Sequence, residues 1–390
     1  ASKGPSVLAF RSLLIGQKLR SGSAAANSLH KVTSADAVVP LAGRGSQLHR
    51  MAVAYFKANK STETYIGVLE DASAAAIATG VATLEGTATA NGTINFYVGG
   101  QLAPVAVVSG DSAATAAAAL AAEIGKHASG TVTFNAAGAG DNVTIGATTF
   151  VGTAGAVSPG AATYSVDTGA SAAAASLAAQ VKAHAVAGKK VYASSLSGVT
   201  TLRAVEGGAA GDAIVLTTTD AVNAAVSGSG TLTGATDDTD LPVHATVTGA
   251  AVTVHARNAG AAANEIDLRV NYQDGEELPA GLGLTITAMS GGTSNPSLTG
   301  LITTMGDIWF HVIAHPFTDA TSLSAIEAEL ADRFGPMRMI DGLAFTVKED
   351  SYANVADLGD SRNSKHSTIV RSTASPTPPD EYAAHLTGVV

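Results

Sequence analysis

A chain of 390 residues with 46% hydrophobic content has room for two or three domains with their own cores, which excludes a disordered polymer. Charged residues make up only 14%, against roughly 25% in an average soluble domain, and the net charge is −10 with no basic block, which disfavours a polyanion-binding role. The absence of cysteine excludes disulfides, thiolate metal centres and cysteine nucleophiles.

So sparse a charge suits a protein whose faces are covered by neighbours; an Ala- and Gly-rich composition accounts for it equally well. The opening Ala1-Ser2-Lys3-Gly4-Pro5 lacks the basic-then-apolar build of a secretory signal. The longest low-polarity tract, Ala113 to Ile124, falls short of the ~20 apolar residues a membrane-spanning helix needs. A soluble protein is expected.

SLLIGQK at 12–18 reads as a buried strand ending near Gly16. Ser34 caps a turn starting at Ala35. Ser46 caps a helix whose apolar residues Leu48, Met51, Ala52, Tyr55 and Phe56 recur at helical spacing. ETYIGVL at 63–69 is a second strand. The same texture returns near the C-terminus. Asn295-Pro296 opens a helix to about Met305, and IWFHVIA at 308–314 is a strand. Thr318 or Asp319 caps a helix from Ala320 to Phe334, with Leu323, Ile326, Leu330 and Phe334 on one face. Strand 342–347, a helix near 351–359, strand 367–371 and a helix from Pro378 complete the alternation. Strands separated by helices predict an α/β scaffold with a mostly parallel sheet and flanking helices, built from both ends of the chain.

From about 79 to 289 aromatics thin out, and short runs rich in Thr, Val, Gly and Ala alternate: TINFYVGG, PVAVVSG, TVTF, ATVTG, VTVHAR and GLTITAM. These are strands punctuated by Gly turns. The stretch also repeats itself. Leu120-Ala-Ala-Glu-Ile-Gly-Lys-His127 matches Leu177-Ala-Ala-Gln-Val-Lys-Ala-His184, and TLRAVEGGAAGDAIVL (201–216) matches TVHARNAGAAANEIDL (253–268). The first pair reads as Ala-rich helices, the second as strand, Gly/Ala loop, strand. The order first half, first half, second half, second half fits one module nested in a relative of itself better than tandem copies. The expected domains are therefore a discontinuous core of 1–78 with 290–390, a β-rich α+β outer insertion of 79–130 with 238–289, and a nested β-rich insertion of 131–237.

Candidate chemistry is thin. His311 and His315 have the spacing of helical metal ligands, but in a strand they stand roughly 13 Å apart, and no HExxH surrounds them. They read as core or strand-end histidines. Gly43-Arg44-Gly45-Ser46 precedes a helix and has the position of an anion site, yet lacks the P-loop pattern; a helix cap is expected. Asp237-Asp238-Thr239-Asp240 has the acidity of a calcium site without the Gly and distal Glu of an EF-hand, and reads as a solvated linker. Asp267, Arg269, Glu276 and Glu277 are either interface charges or surface residues. No nucleophile, base and oxyanion set assembles, and no Gly-x-Ser-x-Gly elbow occurs. No catalytic, cofactor-binding or metal residue is assigned, and neither a cofactor nor an enzymatic role is expected.

Six segments taken together resemble the tail sheath proteins of contractile-tailed phages of the Mu-like type: SLLIGQKL (12–19), VTSADAVVPLAGRGSQLHRMAVAYFKAN (32–59), AGAAANEIDLRVNYQDGEELPAGL (259–282), TAMSGGTSNPSL (287–298), AELADRFGPMRMIDG (328–342) and SPTPPDEYAA (375–384). The nested module lies outside these segments. The resemblance implies an α/β core facing a tail tube, with variable insertion domains facing outward. It implies hexameric rings of the chain stacked as a helical sheath that shortens and drives the tube through the host envelope. Copies of itself, the tail tube protein, baseplate and tail terminator proteins are the implied partners, with no nucleic acid, membrane insertion or cofactor. The implied location is the virion tail, after synthesis in the host cytoplasm. Family members carry further segments before SLLIGQ and beyond SPTPP, resembling arms that add strands to neighbouring sheets. A trimmed chain, monomeric in dilute solution, is the corresponding expectation. Three other readings compete: the sheath of a bacterial or prophage contractile injection device, a glycan- or surface-binding module, and an enzyme on the α/β scaffold. The glycan reading needs exposed aromatics, and Trp309 is the only tryptophan. The enzyme reading needs a polar cleft at the carboxyl ends of the strands.

Overall fold

The computed structural model describes residues 9–125, 127–136, 138–167, 169–235 and 240–390. The chain divides into two compact units, Ala1–Leu120 with Asp240–Val390, and Ala121–Thr239.

The first unit contains a six-stranded sheet in the order β2-β3-β1-β19-β20-β21, formed by β1 (Arg11–Gln17), β2 (Ser28–Val32), β3 (Glu63–Leu69), β19 (Val312–Ala314), β20 (Leu343–Glu349) and β21 (Ser367–Ser372). Every neighbour pair is parallel except β2 with β3. β1 sits inside the sheet and is covered on both faces, which is why it reads as a continuous apolar run. Leu14 joins Leu48, Met51, Tyr55, Ile66 and Val68 on one face. Leu13 and Ile15 join Leu301, Met305, Phe310, Ile313 and Ile326 on the other. Each such side chain contributes roughly 1.5–3 kcal/mol by leaving water. Gly67 of β3 is required by this packing, because a Cβ there would lie 2.7 Å from Leu301 Cδ2.

The flanking helices are α1 (Val39–Ala42), α2 (Gln47–Ala58), α7 (Thr299–Met305), α8 (Ala320–Phe334), α9 (Tyr352–Arg362) and α10 (Pro379–Val389). Three start as their caps dictate. Ser46 Oγ accepts from His49 N at 3.0 Å, Asp319 Oδ1 from Ser322 N at 2.9 Å, and Ser351 Oγ from Asn354 N at 3.2 Å. Ser34 Oγ likewise accepts from Ala37 N at 3.3 Å, ahead of a short 3-10 turn.

Three local expectations need correction, and one strand is new. The helix at Asn295-Pro296 begins only at Thr299, because Asn295 is occupied elsewhere: its Nδ2 donates to Asp319 Oδ2 at 2.8 Å and its Oδ1 accepts from Ala262 N at 3.2 Å. The strand at 308–314 shrinks to Val312–Ala314, with Trp309 turned to donate from Nε1 to Asp341 O at 2.7 Å. Phe334 is half exposed, and Arg333 takes the buried place in the last turn of α8. The edge strand β2, in which Ser28, Leu29 and His30 are only partly buried and Lys31 is exposed, carries no apolar run and was not expected.

The same unit holds two antiparallel sheets. One has the order β15-β16-β4-β18, from β4 (Thr79–Gly86), β15 (Val243–Thr248), β16 (Ala251–Ala256) and β18 (Leu282–Ser290). The other is β17-β5-β6, from β5 (Gly92–Val98), β6 (Gln101–Val107) and β17 (Leu268–Val270). Their period-two burial, as in Leu102–Val107, follows from the alternating sequence. The Ala-rich α3 (Ala113–Gly125) follows β6.

The second unit comprises β7 (His127–Phe134), β8 (Asn142–Ile145), β9 (Thr148–Thr153), β10 (Thr163–Ser165), α4 (Ala170–Ala183), α5 (Ala187–Lys190), β11 (Val191–Leu196), β12 (Val199–Gly207), α6 (Gly208–Asp212), β13 (Leu216–Thr218) and β14 (Ala224–Val226). Its sheets are β11-β12-β7-β14 and β10-β9-β8-β13. Ala173, Ala174, Leu177 and Val181 of α4 share one core with Val132, Phe134, Phe150, Tyr164 and Leu202. Alanine serves here twice, as a strong helix former and as a side chain small enough for helix and sheet to approach closely. Since β7 starts at His127, a boundary between residues 130 and 131 falls within a strand. No helix among the described residues is long and apolar enough to cross a membrane.

Candidate functional site

His311 and His315 fall on either side of the short β19 and do not converge. The His311 ring stacks between Phe10 (4.5 Å) and Trp309 (5.0 Å), and its Nδ1 accepts from Arg11 N at 3.1 Å. Burial lowers its pKa from the ordinary histidine value. His315 is fully buried, and burial pushes its pKa down to about 4, so the ring is neutral at pH 7. Among the described residues no three His, Asp or Glu side chains group as metal ligands. Gly43 to Ser46 serve the start of α2: Gly43 and Gly45 take positive φ of 87° and 72°, and Gly45 N donates to His49 Nδ1 at 3.2 Å. Arg44 Nη1 pairs with Asp240 Oδ1 at 2.6 Å. Asp237, Asp238 and Thr239 lie outside the described residues.

Of the four charges left open as interface or surface, three are engaged within the unit. Arg269 pairs with Asp267, lies 5.0 Å over the Tyr272 ring, and donates from Nη2 to Ala374 O at 3.0 Å, tying β17 to the segment after β21. Glu276 Oε1 accepts from the Tyr97 hydroxyl at 2.6 Å, a bond that pushes the phenol up to about 12. Glu277 is exposed.

One dense polar constellation was not singled out in the sequence. β1 and β3 are parallel neighbours, so Gln17 at the end of one and Asp71 just past the other emerge side by side. Between β16 and the 3-10 turn Ala261–Glu265, Asn258 and Ala259 come down onto them. Gln17 Nε2 donates to Asp71 Oδ1 and to Ala259 O, both at 2.6 Å. Asp71 Oδ1 accepts from Asn258 Nδ2 at 3.2 Å, and Oδ2 from Ala259 N at 2.9 Å. Asn258 Nδ2 also donates to Lys18 O at 2.9 Å, while its Oδ1 accepts from Gln47 N at 2.9 Å. Burial raises the Asp71 carboxyl above its ordinary value, and the three donors pull it back part of the way. β1 is flanked by β3 on one side and by β19, made much later, on the other. Its carboxyl end is thus the point of chain reversal where open α/β sheets hold ligands. Here Asn258 and Ala259 fill that position.

A second constellation fixes the turn after α8. Arg333 is fully buried and donates to Glu329 Oε1 (2.7 Å), Ile308 O (2.7 Å) and Gly306 O (2.6 Å). Arg338 adds bonds to Glu329, Asp332, Asp307 and Gly306 O. The clamped turn displays Met337 and Met339, 93% and 76% exposed. A third joins α2 to α10, where Arg50 faces Asp380 at 2.8 Å and Glu381 at 3.2 Å, all three largely buried. Most of these side chains fall in the quoted segments or directly beside them, but the residue types alone do not separate a buried bond from a solvated one.

No family model matches the chain. It is 28% identical over 393 residues to the Mu-like prophage FluMu tail sheath protein of Haemophilus influenzae, an alignment that takes in 100% of this chain and 57% of that protein. The chain therefore spans little more than half the length of this relative. The alignment bears out the resemblance to tail sheath proteins, and it also runs through residues 131–237, which the six segments leave out. Among solved structures, the sheath tail protein of Listeria innocua aligns at 12% identity and a TM-score of 0.28, covering 98% of this chain and 56% of that one. The sheath tail protein of Desulfitobacterium hafniense aligns at 10% and 0.30, covering 100% and 60%.

Proposed function

We propose that this chain is a structural subunit of a contractile phage tail sheath, which polymerises around the tail tube and shortens to drive the tube through the host envelope. The observation that carries the proposal is the end-to-end alignment with the prophage tail sheath protein. The filled crevice at the carboxyl ends of β1 and β3 supports a structural rather than an enzymatic role, since the usual ligand position of the fold is taken by the chain itself. Other copies in hexameric rings, the tube protein, and baseplate and terminator proteins are the partners under this reading. The virion tail is its location after synthesis in the host bacterium.

The test is immunogold microscopy of phage particles with antibodies raised against residues 121–239. Regular decoration along the sheath of extended and contracted tails is the expected result. Decoration of capsids alone, or of no particle component, overturns the reading.

We further infer that the second unit is a relative of the β-rich module that it interrupts. Support comes from topology: β15-β16-β4-β18 answers to β11-β12-β7-β14, and β17-β5-β6 to β13-β8-β9, with α3 answering to α4. Both sequence repeats fall on these paired elements. If so, residues 121–239 fold alone. A fragment of that span with no cooperative thermal transition counts against the inference.

A further inference from the structure

The chain has five methionines, and the fold sorts them into two classes. Met51 and Met305 are fully buried, and Met289 is 5% exposed. Their sulfurs are closely packed. A Cβ placed on Gly16 would lie 3.0 Å from Met51 Sδ, and one on Gly80 would lie 3.0 Å from Met289 Sδ. Met305 belongs to the core on one face of the scaffold sheet, with Leu301, Phe310 and Ile313. Met337 and Met339, by contrast, are 93% and 76% exposed in the turn after α8. Met337 is the most exposed large apolar side chain among the described residues.

The turn that carries these two thioethers is held by other groups. Met339 N donates to Gly335 O at 3.0 Å, and Ile340 N to Arg333 O at 2.9 Å. The Arg333 and Arg338 guanidinium groups both bond Gly306 O and Glu329, which ties the turn to the end of α7 and to the body of α8. Met339 itself is kept at a φ of 54°, a left-handed conformation that residues with a side chain seldom adopt without such support. The backbone is thus fixed by bonds in which neither sulfur takes part, and the two thioethers stand permanently open to solvent.

We propose that this turn is a peroxide-reactive modification site, at which Met337 and Met339 each take up one oxygen atom, reversibly, while the fold stays intact. The thioether sulfur donates a lone pair to one oxygen of hydrogen peroxide. The S–O bond forms as the O–O bond breaks, and the departing hydroxide takes the proton of the transferred hydroxyl and leaves as water. Sulfur is oxidised by two electrons and the peroxide is reduced by two. The sulfoxide is polar and chiral, so the most prominent apolar point of the turn becomes hydrophilic. At sulfurs this exposed the new oxygen is hydrated. At Met51 or Met289 it has to displace packed neighbours, and peroxide reaches those sulfurs only while their surroundings are open.

The test is peptide mapping of the folded 390-residue chain during exposure to hydrogen peroxide, with mass spectrometry following each methionine separately. Met337 and Met339 are expected to oxidise at least about tenfold faster than Met51, Met289 and Met305, and all five at similar rates in concentrated guanidinium. Calorimetry of the chain oxidised at both turn positions is expected to give the parent melting temperature to within about 1 °C. Methionine sulfoxide reductases of both epimer specificities then restore the parent mass. Met337→Leu combined with Met339→Gly, a residue that accepts the positive φ, removes the fast phase and leaves the slow one. Similar rates for all five methionines in the folded chain overturn the proposal. So does a melting temperature that drops when the turn is oxidised, or a fast phase that survives in the double variant. Should that variant fail to fold, the rate comparison in the parent chain decides alone.

Discussion

Asp71→Ala is the most direct perturbation of the crevice. The substitution removes both acceptor oxygens and takes one bond from each of three donors, namely Gln17 Nε2, Asn258 Nδ2 and Ala259 N, at former distances of 2.6, 3.2 and 2.9 Å. Gln17 Nε2 keeps Ala259 O and Asn258 Nδ2 keeps Lys18 O, so only Ala259 N loses its sole partner. A bond to a charged acceptor is worth about 1.5–3 kcal/mol, and a buried donor left alone costs about 1–3 kcal/mol. Relief from burying a carboxylate returns part of this, leaving about 3 kcal/mol of destabilisation. At ~2 °C per kcal/mol for a unit of this size, the melting temperature falls by ~6 °C. Asp71→Asn distinguishes a lost charge from a lost acceptor. Whichever oxygen becomes an amide nitrogen, it confronts a donor, so the variant still loses about 2 kcal/mol. Calorimetry of the 390-residue chain reads both. A melting temperature within 1 °C of the parent for Asp71→Ala refutes the reasoning, because the crevice would then be held by backbone packing alone.

Arg333→Met leaves Ile308 O without a side-chain donor, while Gly306 O and Glu329 keep Arg338, and is expected to cost about 1–3 kcal/mol in urea unfolding. Gly67→Ala drives a methyl into Leu301 and costs about 1–3 kcal/mol, part of which Leu301→Ala restores in the double variant. Ser46→Ala removes the cap of α2 for about 1 kcal/mol, visible as faster exchange at His49 N. Arg50→Met leaves Asp380 and Glu381 uncompensated. Because both carboxyls are raised in the fold, the loss in thermal stability is larger at pH 8 than at pH 5.

The centre of the scaffold was legible because β1 and β3 are buried on both faces and α2 and α8 carry side-chain caps. SLLIGQ and ETYIGVL read as buried strands, and Ser46 marks a helix start to the residue. Of the two caps open for α8, Thr318 and Asp319, the structure takes Asp319, and the Ser351 cap of α9 was not singled out. β2 was not legible, since an edge strand needs no apolar run and its pairing comes from β3 alone. Arg333 shows a related limit. A cation on the apolar side of an amphipathic helix looks like a surface residue until the carbonyls of Gly306 and Ile308 are seen to surround it. Asp71 was invisible for a deeper reason. Its partners Gln17, Asn258 and Ala259 come from segments far apart in the chain, and only the pairing of β1 with β3 brings them together. The histidines went the other way: their spacing suggested ligands, and the strand geometry separates them.

The interrupted scaffold also sets a timetable for synthesis. β1 gains β3 soon after it is made, but its other edge waits for β19, whose first residue Val312 lies far beyond Leu69. At 5–20 residues per second, translating the intervening stretch takes roughly 12–50 s, long beside the microseconds to seconds of small-domain folding. Both β-rich stretches therefore emerge and acquire their pairings while the central strand of the sheet still has one open, strongly apolar edge. A ribosome-bound chain paused in this interval is the form most in need of a chaperone.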